Sequence, residues 1–192
     1  LSKACRYSLE SGGKRIRPIL CLLINQTHQS SLDKVLPLAL ALEMVHTYSL
    51  IHDDLPILDD DHQRRGLPTN HIKFGEDIAL LAGDALLSDL WSLIAKGFSL
   101  SLQEKSAETY LDDSQRLKAI AILSDAIGSK GMVYGQVLDI KETGKEMGDL
   151  QLVYRIHQDK TAKLIAAACS LGAISAGLNH EEVNSYYLFG KY

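Results

Sequence analysis

The sequence predicts a single all-α domain. Apolar residues recur every three or four positions along most of the 192 residues, whereas runs that alternate apolar and polar residues are few. Only 4 prolines interrupt the chain, and a composition that is 46% hydrophobic with a net charge of -4 is typical of a folded globular protein. We therefore expect residues 1–192 to form one domain with a sizeable core.

Seven segments have helical periodicity, and an eighth begins near residue 181 and continues to the end of the chain. The seven predicted helices cover residues 1–10, 17–26, 32–52, 78–95, 115–134, 149–158 and 161–178. Gly12-Gly13, residues 66–70 and Gly144 mark turns between them. The polar residues 99–109 predict a surface loop or a short helix. Segments 32–52, 78–95 and 161–178 are apolar enough to be central.

Charge, cysteines and hydropathy exclude several classes of protein. A mildly acidic chain offers no general surface for nucleic acid. The longest uncharged run, residues 164–179, is shorter than the ~20 apolar residues that cross a bilayer, so we expect a buried helix and no stable membrane insertion. Three cysteines without disulfide or metal spacing predict reduced thiols in a cytoplasmic compartment; they are Cys5, Cys21 and Cys169.

The chain begins at Leu1 rather than at methionine and opens directly on a helical pattern. We therefore expect that an N-terminal segment is missing. A targeting peptide, such as one for plastids, would lie in that segment, so plastid localisation stays open beside the cytoplasm.

An aspartate cluster follows the apolar segment 32–52. Carboxylates at a helix C-terminus face its partial negative charge and repel one another, so a hard cation such as Mg²⁺ would stabilise them. Pro56 breaks helical hydrogen bonding, so the second group of aspartates must return toward the first through a bend. Considered alone, the cluster is equally well explained as a solvated acidic turn. Its members are Asp53, Asp54, Asp59, Asp60 and Asp61.

One stripe of the same helix combines His46, Ser49 and Asp53, which are spaced i, i+3 and i+7. A histidine and an aspartate on one stripe of an otherwise apolar helix indicate that the stripe lines a cavity. For His46 by itself, a hydrogen-bonded core histidine is the simpler interpretation. His52 is expected to be structural.

Three basic elements stand out against the acidic background. Lys14 and Arg17 follow a flexible Gly-Gly turn, Arg64-Arg65 follows the aspartates, and Lys160-Thr161 is expected to open the last apolar helix. Arginine can fork onto two phosphate oxygens and lysine acts as a point charge. Each element also has a plain alternative, namely a solvated loop, surface ion pairs with the aspartates, or a lysine that reaches water. Together they favour a ligand with a diphosphate head and an apolar tail, and the sequence carries no nucleotide-binding P-loop or Rossmann motif.

These motifs resemble those of the polyprenyl synthetase family and occur in the family's order along nearly the whole chain. Within the family they are similar to bacterial or plastid-type farnesyl or geranylgeranyl diphosphate synthases. The resemblance implies an isoprenoid synthase fold, with helices around a central apolar cavity, and usually a homodimer. The matching segments are Gly12-Gly-Lys-Arg-Ile-Arg-Pro18, His46-Thr-Tyr-Ser-Leu-Ile-His-Asp-Asp-Leu-Pro56, Asp59-Asp-Asp61, Arg64-Arg-Gly66, Asn70-His71, Ala82-Gly-Asp-Ala-Leu86 and Lys160-Thr161.

The resemblance also implies an activity and roles for individual residues. The enzyme would condense isopentenyl diphosphate with an allylic diphosphate, dimethylallyl or geranyl, and release pyrophosphate with the help of Mg²⁺. The metal would be bound by Asp53 and Asp59, with Asp54 and Asp60 in support. The allylic diphosphate would be held by Arg64, Lys160 and Thr161, and isopentenyl diphosphate by Lys14, Arg17, His46 and Arg65. Gln136 and Asp139 share a helical face (i, i+3) and would extend the site.

Product length is expected to depend on Tyr48, which stands five residues, or ~7.5 Å of helix, before Asp53. In this family, bulk at that place forms the floor of the tail pocket, so an aromatic residue favours the farnesyl product. A geranylgeranyl diphosphate synthase and a non-catalytic, diphosphate-binding subunit of a prenyltransferase complex remain alternatives. A terpene cyclase is disfavoured because Lys14 and Arg17 imply a second diphosphate.

The sequence departs from the family in one respect. The family has a second aspartate-rich motif, and nothing after Thr161 supplies it before the chain ends at Tyr192. We expect the sequence to be incomplete at both ends, and this fragment alone to be inactive or to lack its second metal site.

Overall fold

The computed structural model describes residues 1–97, 110–144 and 149–192, so the predicted loop at 99–109 lies outside the described residues. The described chain is almost entirely helical, which confirms the all-α prediction. A short antiparallel ribbon pairs β1, Gln63–Arg64, with β2, Leu67–Pro68. The helices are α1 Ser2–Glu10, α2 Ile16–Thr27, α3 Leu32–Asp53, α4 Asn70–Phe74, α5 Glu76–Lys96, α6 Asp113–Ile127, α7 Met132–Glu142, α8 Leu150–His157, α9 Lys163–Ser175 and α10 His180–Lys191, and a π-helical turn, Gln158–Ala162, joins α8 to α9.

Two helices organise the core. Helix α9 is buried on every side from Ala166 to Ser175 and packs against α2, α6 and α10. Its many Ala, Ser and Gly residues allow this close approach of neighbouring helices. Helix α3 packs along α5 and α2 and carries the fully buried Leu38 and Leu42. The C-terminal end of α3 is therefore held rigidly, and the aspartate cluster begins there.

Local sequence determines several helix ends. Asp112 begins α6 with a capping box, in which its carboxylate accepts from the Gln115 N–H at 2.7 Å and Gln115 Oε1 accepts from the Asp112 N–H at 3.0 Å. Asn179 and Glu182 form the same arrangement at α10. Such reciprocal bonds satisfy N–H groups that have no partner within the helix.

The predicted helix 115–134 is wrong, because two helices occupy this stretch. Helix α6 ends at Ile127, and α7 begins at Met132. A Cβ on Gly128 would lie 2.8 Å from the Ser124 carbonyl oxygen, and one on Gly131 would lie 2.6 Å from that of Asp125. The glycines at 128 and 131 therefore permit a tight break that periodicity alone does not reveal.

The expectation that Lys160-Thr161 opens a helix is also wrong. Both residues lie in the π-helical turn inside one continuous helical run from α8 to α9, so the positive end of a helix does not act on Lys160. Helix α4 and the two-stranded ribbon were not predicted, because each is too short to produce a periodic pattern.

Two of the described helices, Leu32–Asp53 and Glu76–Lys96, are long and apolar enough to span a membrane by length and composition alone. The apolar window of the first is 61% buried, as expected for a core helix. That of the second, α5, is only 33% buried, so the rest of its apolar surface has no cover within the described chain.

Candidate active site

The aspartate cluster turns back on itself immediately after α3. The Asp59 N–H donates to the carbonyl oxygen of Asp53 at 2.9 Å, and the Asp60 N–H donates to that of Leu55 at 3.2 Å. Pro56 lies inside this closed loop. The predicted bend is therefore present, and it brings Asp59 near Asp53.

A cleft of about 420 Å³ opens beside Asp53, between α3, α7 and the π-helical turn. Polar groups and apolar walls both line it. The stripe of His46, Ser49 and Asp53 faces this cleft, as its spacing predicted. The other lining residues are Arg17, Tyr48, Leu50, His52, Leu58, Met132, Val133, Gln136, Val137, Ile140, Lys160 and Thr161.

Asp53 is the acidic group of the cleft. Burial raises the pKa of Asp53 to about 6; the positive charge of Lys160 opposes this rise, and the charge of Asp59 adds to it. A carboxylate in this position is incompletely neutralised by the protein, so a cation beside it would be favourable. Among the described residues, no three His, Cys, Asp or Glu side chains form a ready metal cluster.

Lys160 reaches the same cleft from the π-helical turn. Its Nζ donates to Asp139 Oδ2 on α7 at 2.5 Å. One ammonium carries three N–H donors, so this bond leaves donors for an anion. Thr161, the next residue, is exposed at the edge of the cleft. Gln136 and Asp139, which were predicted to share a helical face, have different contacts: Gln136 lines the cleft, and Asp139 binds Lys160.

Arg17 enters the cleft from α2. Its Nε is buried and has no hydrogen-bond partner among the described residues. Burial lowers the pKa of Arg17, and only the nearby Glu43 opposes this. Gln136 Oε1 is likewise buried without a partner. A buried donor without an acceptor costs free energy, so the Arg17 Nε is available to an acceptor that enters the cleft.

Arg15, two residues away, has a different role. It adopts a left-handed conformation before α2 and forms an ion pair with the buried Glu43, and its second guanidinium nitrogen donates to the Leu9 carbonyl at 2.6 Å. This contact was not predicted, because nothing in the sequence around residue 15 indicates a partner on α3. Arg15 therefore ties α1, α2 and α3 together.

Arg64 and Asp54 are engaged with each other. Arg64 Nε and Nη2 lie 2.7 and 2.6 Å from Asp54 Oδ1, and Nη2 also lies 3.3 Å from Asp61. The carboxylate of Asp54 is 5% exposed, and neither residue lines the main cleft. The structure therefore directs Asp54 toward Arg64, whereas the resemblance implied support of a metal.

Arg65 and the Gly12-Gly13 loop meet at the side of the site. Arg65 Nη1 donates to the Gly12 carbonyl and lies 3.4 Å from Ser11 Oγ. A Cβ on Gly13 would lie 2.6 Å from Arg65 Cζ, and Gly13 has a φ of +121°. Glycine is required there, and the contact joins two motifs that lie 52 positions apart. Lys14 is exposed, and neither Lys14 nor Arg65 lines the main cleft.

Tyr48 and His52 contact each other in the lining of the cleft. Tyr48 is 6% exposed, and its ring meets the His52 ring edge-on with centroids 5.8 Å apart. His52 Nε2 lies 3.1 Å from the Leu80 carbonyl oxygen, and this contact links α3 to α5. Burial raises the pKa of Tyr48 to about 12, and Asp53 adds to this effect.

The apolar wall on α7 was missed in the sequence. Met132, Val133, Val137 and Ile140 all line the cleft. Their spacing is helical, and it would have indicated a lining face if the helix break before Met132 had been recognised.

His46 stands among cations. Burial, together with four arginine charges, lowers the pKa of His46 to about 4; the arginines are Arg17, Arg65, Arg64 and Arg15. The ring is therefore neutral at physiological pH, when it offers one N–H donor and one acceptor.

This depressed pKa predicts a dependence of stability on pH. Between about pH 6.5 and pH 4 the unfolded chain binds a proton at His46 that the folded chain does not, so the free energy of unfolding should fall as pH decreases. Because the residue is only partly buried, we expect a loss of about 1–2 kcal/mol. In urea titrations across this pH range, the free energy of unfolding of His46→Gln should fall less steeply than that of the parent. Replacement of the exposed His157 by Gln is the control, and equal slopes in the parent and His46→Gln would contradict the assignment.

Comparison with known proteins identifies the relatives of this chain. A sequence model of the polyprenyl synthetase family matches residues 1–192. The chain belongs to the polyprenyl synthetase family.

Members of this family match the chain over its full length. It is 44% identical over 193 residues to geranylgeranyl pyrophosphate synthase 7, chloroplastic, of Arabidopsis thaliana; this alignment covers 100% of this chain and 52% of that protein. It is 42% identical over 192 residues to farnesyl diphosphate synthase of Bacillus subtilis; this alignment covers 100% of this chain and 62% of that protein. The chain thus spans little more than half the length of these relatives.

A solved structure of the family has the same fold. The crystal structure of an FPP/GFPP synthase from Zymomonas mobilis superimposes with a TM-score of 0.87 at 33% identity, over 98% of this chain and 65% of that one. The predicted isoprenoid synthase fold is therefore confirmed.

Proposed function

We propose that the protein condenses isopentenyl diphosphate with an allylic diphosphate, dimethylallyl or geranyl, and releases pyrophosphate. The observation that carries this proposal is the cleft in which Asp53, Arg17 and Lys160 meet an apolar wall. The charged groups of the cleft suit diphosphates, and its apolar wall suits a prenyl tail. Membership of the polyprenyl synthetase family supports the same activity.

The residues around Asp53 fit Mg²⁺. The proposed ligands are the carboxylates of Asp53 and Asp59, which the bend after α3 brings near each other. Mg²⁺ commonly uses one or two carboxylates and completes its coordination with water and substrate phosphates. Burial raises the pKa of Asp53, so a bound cation would favour its charged carboxylate. When bound, the ion would withdraw negative charge from the leaving diphosphate.

The protein's own cations would divide between the two substrates. We assign Lys160 and Thr161 to the allylic diphosphate, since both lie at the edge of the cleft near Asp53. We assign Arg17 and the neutral His46 to isopentenyl diphosphate, since the buried Arg17 Nε has an unused donor. Lys160 would stabilise the charge that develops as the allylic C–O bond breaks. The apolar wall on α7 would pack against the prenyl tail of the allylic substrate.

Arg64 and Arg65 would assist from the side of the site. Arg64 already donates to Asp54 through Nε and Nη2. Its Nη1 takes no part in these contacts and remains as a donor for a ligand. Arg65 uses Nη1 on the Gly12 carbonyl. We infer that these arginines fix the loops that carry Lys14 and Asp59 and add positive potential.

We propose farnesyl diphosphate as the product. The support is Tyr48, whose buried ring lies against His52 in the lining of the cleft that would hold the growing tail. Geranylgeranyl diphosphate is the second candidate, because relatives with both names match this chain at similar identity. Chromatography of the products distinguishes a fifteen-carbon from a twenty-carbon chain.

Tyr48→Ala should lengthen the product. Removal of the ring opens space at the floor of the cleft, so we expect a main product at least one five-carbon unit longer than that of the parent. The readout is reversed-phase chromatography of dephosphorylated products. Tyr134→Ala is the control, since Tyr134 is exposed and does not line the cleft. An unchanged product distribution in Tyr48→Ala would refute the role of Tyr48.

Turnover of radiolabelled isopentenyl diphosphate by the full-length protein alone tests the proposed activity. Incorporation of label into acid-labile allylic product supports it. Binding of diphosphates without turnover would favour a non-catalytic subunit instead. Conversion of an allylic diphosphate without any use of isopentenyl diphosphate would favour a cyclase.

We also propose that the protein is a homodimer through α5. This helix presents Leu80 and Leu81, 47% and 52% exposed, on a surface that the described chain leaves uncovered and that also carries the exposed Asp84. Light scattering on the full-length protein should give twice the monomer mass, and Leu81→Glu should shift it to the monomer. A monomeric parent would contradict the proposal.

A further inference from the structure

Helix α7 and the π-helical turn approach each other unusually closely at Gly135. A Cβ at this position would lie 2.7 Å from Lys160 Cα, 2.8 Å from the Asp159 carbonyl carbon and nearer still to Lys160 N. All three atoms belong to the backbone, which cannot swing aside as a flexible side chain does. Glycine is therefore the residue that lets α7 lie against the backbone of Lys160.

Asp139 lies one helical turn after Gly135 and so faces the same side of α7. Its Oδ2 accepts from Lys160 Nζ at 2.5 Å. The same face of α7 thus contacts Lys160 twice, at the backbone through Gly135 and at the ammonium through Asp139.

Asp159, the residue before Lys160, is anchored to α8 and α9. Asp159 is 2% exposed and forms ion pairs with Arg155 on α8 and with Lys163 Nζ on α9, the latter at 2.7 Å. A π-helical turn inserts an extra residue and often occurs at functional sites. Here it allows Asp159 to remain with α8 and α9 while Lys160 extends to α7 and the cleft.

We propose that Gly135 and Asp139 are positioning residues that set the place of the Lys160 ammonium at the allylic-diphosphate end of the cleft. This rests on the proposed function, which assigns Lys160 to that diphosphate. The ammonium would meet the leaving group without a search through lysine rotamers. A displacement of about 1 Å at such a group costs on the order of 10²-fold in rate.

The test is a double-mutant cycle in the full-length protein. Gly135→Ala should lower kcat/KM for the allylic diphosphate on the order of 10²-fold and leave the KM for isopentenyl diphosphate within about twofold. In a Lys160→Ala background, Gly135→Ala should have almost no further effect, because Lys160 is the group it displaces. An undiminished effect in that background would overturn the proposal, since it would show a role independent of Lys160.

Asp139→Asn provides a second cycle that keeps the volume of the side chain and does not depend on whether Gly135→Ala folds. We expect a loss of about tenfold for the allylic diphosphate, again absent when Lys160 is alanine. Tighter binding in Asp139→Asn would overturn the positioning role of Asp139, because it would show that Asp139 competes with the diphosphate. Lys141→Ala, exposed on the same helix, is the control.

A failure of the proposed function remains separable from a failure of this inference. If the parent protein does not turn over, calorimetric titration with inorganic pyrophosphate replaces kcat/KM in both cycles. Effects of Gly135→Ala and Asp139→Asn that vanish without Lys160 would then still support positioning, and additive effects would overturn it.

Discussion

Asp53→Ala should abolish nearly all turnover, with a loss on the order of 10³-fold or more in kcat. The carboxylate is the acidic group of the cleft, and it lies where the charge of Lys160 and the charge of Asp59 both act on it. Its removal takes away a proposed ligand and the negative charge that would attract the cation. The measurement is initial-rate kinetics of the full-length protein over a series of magnesium concentrations.

A second readout separates a metal ligand from a structural residue. Calorimetric titration with Mg²⁺ in the presence of pyrophosphate should show weaker metal binding in Asp53→Ala, while circular dichroism shows an unchanged helix content. Asp113→Asn is the matched control, because Asp113 is exposed and pairs with Arg116 on its own helix. Normal turnover by Asp53→Ala would refute the metal assignment.

Arg17→Gln should weaken the use of isopentenyl diphosphate and stabilise the fold at the same time. Loss of two charge-assisted hydrogen bonds to a diphosphate corresponds to about 3–4 kcal/mol, or a rise of 10²- to 10³-fold in KM. The free energy of unfolding of the ligand-free protein should instead rise by up to about 1 kcal/mol, because the substitution removes the buried Nε that has no hydrogen-bond partner. Kinetics and thermal unfolding of the same samples measure both effects.

Arg15→Gln is the control for this prediction and should have the opposite effect on stability. It removes an ion pair with the buried Glu43, so we expect a loss of about 2 kcal/mol. The two arginines are neighbours in sequence and differ mainly in whether the protein supplies a partner. An unchanged KM in Arg17→Gln, or a loss of stability as large as that in Arg15→Gln, would refute the binding role of Arg17.

Short-range patterns predicted much of the fold and part of the site. Helical periodicity located the major helices, and the i, i+3, i+7 spacing correctly put His46, Ser49 and Asp53 on the cleft. Pro56 correctly predicted that the chain bends back, because it lies just beyond the end of α3, where its ring cannot continue the helical hydrogen bonding. These features depend on neighbouring residues and so can be deduced from sequence.

Features that depend on tertiary partners were not predictable in this way. The pairing of Arg64 with Asp54 and the contact of Arg65 with Gly12 depend on where the ribbon β1–β2 packs. Lys160 lies in the middle of a helical run because a π-helical turn, for which no sequence pattern was recognised, joins α8 to α9. Opposite charges that lie close in sequence are easily identified, but which of them pair depends on how the helices pack together.

The composition of α9 has a consequence for protein engineering. Its residues from Ala166 to Ser175 are buried on all sides, and a Cβ on Gly172 would lie 2.5 Å from the Cys21 carbonyl oxygen on α2. Larger side chains there would separate the surrounding helices, so a randomised library should return almost unchanged sequences along α9. The wall of α7 at Val133, Val137 and Ile140 is half open to solvent. Variation to accommodate new substrates is therefore best concentrated on α7, with α9 left as it is.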